Sequence, residues 1–65
     1  MNAKQMIALL LKHGFVLHST KGSHKSFYRP SDKLFTVVPF HNKDLKPGTI
    51  NAILKQAGID RKDLL

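Results

Sequence analysis

His24 lies in the run Thr20-Lys21-Gly22-Ser23-His24-Lys25-Ser26-Phe27-Tyr28-Arg29, where a basic loop with one glycine meets a strand-like segment. Imidazole changes charge near neutral pH, so it can take the proton of a ribose 2′-hydroxyl and let that oxygen attack the adjacent phosphorus. Ammonium groups close by stabilise the charge that gathers on the phosphoryl oxygens. The neighbours suit this chemistry: Gly22 allows a close backbone approach to a phosphate, Ser23 adds a hydroxyl, and Lys21 and Lys25 bring charge on either side. Tyr28 and Arg29 continue the segment and are expected, with Lys21, Gly22, Ser23 and Lys25, to contact the RNA that such chemistry would act on. Taken alone, Gly-Ser-His also fits an ordinary turn before a strand.

The other histidines have plainer explanations. His13 falls in the last turn of a helix, where positive charge is favoured by the dipole. His18 reads as a strand surface residue. His41, at the end of a strand, is either a loop-organising group or an auxiliary to His24. No pair has metal-ligand spacing and the four acids are scattered, so neither a metal nor any other cofactor is expected.

Charge points the same way as the loop. Eleven Lys and Arg stand against four Asp and no Glu, a net charge of +7, which suggests a polyanionic partner. No acid precedes Asp32. A chain of 65 residues makes one domain, 1–65, and at that length only about 60% of the unfolded surface is buried, which argues against a deep cofactor cavity. Cysteine is absent, so no disulfide or cysteine-bound zinc can staple the fold. The apolar run Met6 to Leu11 is too short for a signal peptide core or a membrane span, and a cytoplasmic, soluble protein is expected.

Two helical segments and three strands must position the loop. Ala3, Met6, Ile7, Leu10 and Leu11 recur at three and four, with Asn2 and Gln5 placed as a capping box and Gly14 as the stop, followed by Phe15. Phe15 to Thr20, Lys25 to Arg29 and Leu34 to Phe40 read as strands separated by turn-like KGSH and RPSDK. After the polar HNKDLKPG, a second helix starts at Pro47, carries Ile50, Ile53, Leu54 and Ala57 on one face, and ends at Gly58 before Ile59. Asp60 can cap a last short turn ending at Leu65. The expected fold is α+β: an αβββα two-layer domain with a three-stranded antiparallel sheet and two helices on one face.

In such a domain the second sheet face is open. With Phe27 in the core, His24, Ser26 and Tyr28 point outward. A two-residue or four-residue loop at RPSDK adds Phe35, Val37, Pro39 and His41 to that face. In the four-residue case His24 faces Pro39 and His41 lies diagonal to it at roughly 7 to 8 Å. A three-residue or five-residue loop reverses the side.

The combination and order of KGSHKSFY, VVPFH and LKPGTINAILKQAGI closely resembles the HicA family, the mRNA-interferase toxins of HicAB toxin/antitoxin systems. The likeness runs from LLLKHGFVL to Ile59, and the LKPGT then ILKQAGI motif after a VPxH strand end is specific to it. The resemblance implies a double-stranded-RNA-binding-domain-like fold, cleavage of mRNA with His24 as catalytic residue, and inhibition by a HicB antitoxin that covers the site. DNA would be met only through the antitoxin complex. Lys25 and Ser26 follow the histidine where family members often carry another histidine or an apolar residue, which leaves a second proton-transfer group open. PGTIN has no lysine cluster, so duplex binding is not expected. From another class, a noncatalytic RNA-binding or DNA-binding module would use the same basic face.

Overall fold

The computed structural model describes residues 1–41 and 44–64. Its elements are α1 (Ala3–Lys12), β1 (Val16–Lys21), β2 (His24–Arg29), β3 (Leu34–Pro39), α2 (Pro47–Ala57) and a 3-10 turn at Arg61–Leu64. The strands form one antiparallel sheet in the order β1-β2-β3. This is the expected αβββα arrangement. Asn42 and Lys43 of the polar loop and Leu65 of the closing turn lie outside the described residues.

Both helices end in the same way. Gly14 and Gly58 take positive φ (89° and 66°), and the next residue folds back, Phe15 N–H donating to the Leu10 carbonyl and Ile59 N–H to that of Leu54. This closure satisfies carbonyls that a helix end otherwise leaves open, and it drives the following apolar side chain inward. Phe15 is 1% exposed, so it is a cap and core residue rather than the strand start that its ring suggested. At the front of α1, Asn2 and Gln5 form the capping box, each bond 2.8 Å. A cap of this kind contributes about 1 kcal/mol.

One sheet face is closed by the helices. Ala3, Met6 and Leu10 from α1 and Ile53, Leu54 and Ala57 from α2 bury against Phe27 and Val38. Thr36, also buried there, satisfies its hydroxyl by donating to Gln56 Oε1 at 2.7 Å. Leu45 is a core residue that the polar character of its loop concealed; it is 6% exposed and its N–H donates to the Met1 carbonyl.

Arg29 ties the layers together. Its guanidinium donates to the carbonyl of His13 at 2.9 Å and of Ala57 at 3.3 Å, and makes a two-pronged contact with Asp32 at 3.0 and 2.8 Å. The same group lies 4.7 Å over the centre of the Phe15 ring. One cation thus meets the negative ends of both helices and an aromatic face.

Lysine cannot span these acceptors. Arg29→Lys is expected to lose about 1 to 2 kcal/mol, lowering Tm by roughly 5 to 10 °C in a domain of this size. A thermal melt followed by circular dichroism tests this. The hydrogen bonds from Arg29 hold the Asp32 carboxyl below its ordinary pKa. A depressed folded-state pKa gives stability that is complete above about pH 4, the unfolded value, and fades as pH falls through the folded one. Asp32→Asn is therefore expected to melt lower at neutral pH and to lose less on acidification, read from Tm between pH 7 and pH 2.

Candidate active site

The turn that carries His24 is a two-residue hairpin. Lys21 pairs with His24, so Gly22 and Ser23 alone make the connection. Gly22 has φ 58°, as the first position of a type II′ turn requires, and that turn matches the right-handed twist of the strands. Phe40 N–H donates to the Ser23 carbonyl, which anchors the turn to the end of β3. His24 is therefore held on a paired strand, with its side chain exposed.

The β2–β3 ladder has the register of a four-residue loop, Arg29 facing Leu34 and His24 facing Pro39. Phe35 and Val37 are exposed on the open face, as that register requires. β1 departs from regularity. Leu17 pairs with Phe27, but Ser19 pairs with Ser26, leaving His18 as the extra residue of a bulge. Beyond the bulge the strand has shifted by one, which sets Lys21, instead of Thr20, opposite His24.

These side chains surround a cleft of about 210 Å³ lined by Ser19, Lys21, His24, Ser26, Phe35 and Val37. The two serine hydroxyls are 2.6 Å apart, and this small pair forms the floor between bulkier rows. Farther along, the His18 ring meets Phe35 edge to face at 5.7 Å and Tyr28 at 6.3 Å.

The expected site residues divide by position. Lys21, Gly22, Ser23 and His24 come together at the hairpin, and Tyr28 shares their open face. Lys25 does not. Alternation along β2 turns it to the other side, where its ammonium lies 4.9 Å over the Phe40 ring. Arg29 is at the far end of β2, also on the helix side, and its side chain is 18% exposed and committed to the clamp. His41 is exposed at the junction of two other clefts, one shared with Asn2, Ala3, Lys4 and Phe40, the other with Pro39, Asp44 and Leu45. It does not line the cleft of His24. Among the described residues no three of His, Asp and Glu gather as a metal site, and no helix is long and apolar enough to cross a membrane.

Of the residues around the cleft, Ser19 and His18 are the ones that sequence reasoning misses. Alternation places Ser26, Phe35 and Val37 on the open face, where with Tyr28 they read as contact surface for a partner, but the bulge that brings in Ser19 and His18 has no distinct signature in VLHST.

A family model described as the HicA toxin of bacterial toxin-antitoxin matches residues 3–59. A search of curated proteins finds no match.

His24 supports little of the core. His24→Ala is expected to change Tm by no more than about 3 °C, the range for a surface substitution in a domain of this size, and to leave the circular dichroism spectrum unchanged.

Proposed function

The chain belongs to the HicA toxin family of bacterial toxin-antitoxin systems, and from that premise we propose that it is an endoribonuclease that cleaves mRNA through His24 without a metal ion. The observation that carries the reading is the placement of His24 beside Lys21 on the rim of an open cleft, on a two-residue hairpin and outside the core.

In the proposed reaction, the neutral imidazole of His24 takes the proton of the 2′-hydroxyl as that oxygen bonds to phosphorus. The bond from phosphorus to the 5′-oxygen breaks, and the leaving oxygen takes a proton from an acid or from water. The upstream fragment then ends in a 2′,3′-cyclic phosphate. Lys21 supplies positive charge where the phosphoryl oxygens become more negative, and Gly22 and Ser23 let the backbone come close. Tyr28 contacts the strand farther along. Lys25, over Phe40, contributes charge at a distance rather than a contact in the cleft. His41 is an auxiliary only if RNA bridges the two clefts.

Members of a toxin-antitoxin family have an antitoxin partner, here proposed to be of the HicB kind. It would cover His24 and bring acidic groups to Lys21, excluding mRNA from the same surface in the cytoplasm. A noncatalytic nucleic-acid-binding module remains the second reading, favoured by the net charge of +7.

Incubating the protein with single-stranded RNA separates the two. Cleavage should proceed in EDTA, leave a 2′,3′-cyclic phosphate, spare an all-deoxy strand and vanish in His24→Ala. Full-rate cutting by His24→Ala rules out the assignment, and RNA that is bound but never cut supports the module. Antitoxin binding should weaken with added salt and compete with RNA; a complex that cleaves at the free rate would show restraint of another kind.

A further inference from the structure

The open face holds more than the catalytic hairpin needs. Next to the serine floor, on the side away from His24, stand His18, Tyr28 and Phe35, the rings of Tyr28 and Phe35 centred 6.3 and 5.7 Å from that of His18. Phe35 remains 47% exposed despite this contact, and it also lines the cleft that reaches His24. An aromatic group this exposed in a thin domain gains nothing for the core. It does offer a flat apolar surface continuous with a cationic rim.

We propose that Phe35, backed by His18 and Tyr28, is a stacking platform for an unpaired base of the RNA whose phosphate lies at His24, so that the strand is bound unpaired there and Phe35 fixes its register on the site whatever the base. The proposal rests on the ribonuclease reading. Stacking on aromatic side chains tolerates any base, because each has a π-face, whereas bases inside a duplex are already stacked and paired. The spacing fits a neighbouring nucleotide. Tyr28, which pairs with Phe35, lies four residues from His24 along β2, about 13 Å at 3.3 Å per residue. A base over Phe35 therefore belongs to a nucleotide near the scissile one, at most a few steps along the strand. The excess of cations accounts for a polyanion here better than for an apolar protein segment.

The test uses His24→Ala as an uncut binder and measures fluorescence anisotropy with a single-stranded RNA decamer, the same decamer with abasic sites, and its duplex. Adding Phe35→Ala should weaken single-strand binding about tenfold, within the range reported by alanine substitution at stacked bases. Phe35→Trp should restore it. Abasic sites should weaken binding to the parent and have little further effect on Phe35→Ala, and the duplex should bind the parent less tightly than the single strand. Circular dichroism confirms that each variant is folded.

Equal binding by the parent, Phe35→Ala and Phe35→Trp overturns the platform, as does duplex binding equal to single-strand binding or no RNA binding at all. Loss of affinity for the co-expressed antitoxin with RNA affinity unchanged assigns the face to protein and also overturns it. The two readings fail separately: a Phe35 effect on binding without cleavage by the wild type removes the catalyst and keeps the platform, and His24-dependent cleavage without a Phe35 effect does the reverse.

Discussion

The fold hangs on one guanidinium. Arg29 accepts a position that a chain of this size can fill in few other ways, since a helix end, a second helix end, an aromatic ring and a carboxylate all need the same cation. The two helices are far apart in sequence, and carbonyls at their C-terminal ends converge on it. Both helix-stopping glycines face its side chain: a Cβ at Gly14 would lie 3.4 Å from Arg29 Cδ, and one at Gly58 would lie 3.3 Å from Leu34 and 3.8 Å from the guanidinium. Glycine at these positions therefore serves two demands, backbone conformation and close approach.

With one end of the sheet held in this way, the opposite end is free to carry chemistry. The hairpin of His24 lies at the other end of β2 from Arg29, and its open face has no helix over it. The cleft there is a result of side-chain size. Two serines face each other across β1 and β2 between a row of Lys21 and His24 and a row that includes Phe35, and their mutual hydrogen bond satisfies hydroxyls that would otherwise need water. Larger residues at these positions would fill the space between His24 and the aromatic cluster.

Much of this was legible in the chain. The spacing of apolar residues marks both helices, Asn2 and Gln5 mark the first cap, and Gly-Phe and Gly-Ile mark the two stops. The open-face set His24, Ser26, Tyr28, Phe35 and Val37 follows from alternation once the loop at Pro30 to Lys33 is taken as four residues. The same alternation, applied strictly, turns Lys25 and Arg29 to the helix side, where a basic residue has to find acceptors. Reading the basic run as one patch hid that distinction. Leu45 escaped notice because its neighbours are polar, and a single buried leucine in a loop has no periodicity. The bulge at His18 depends on pairing across strands, which no local pattern in β1 records.

That bulge lets β1 hold one residue more than the run of β2 it pairs with. None of the buried hydrophobic core residues lies on β1, so its side chains are little constrained by packing. Yet the bulge returns everything between it and the turn to the pairing that a strand one residue shorter would have. Removing His18 would leave a regular ladder with Ser19 still opposite Ser26 and Lys21 still opposite His24, and would take away only the ring packed against Phe35 and Tyr28.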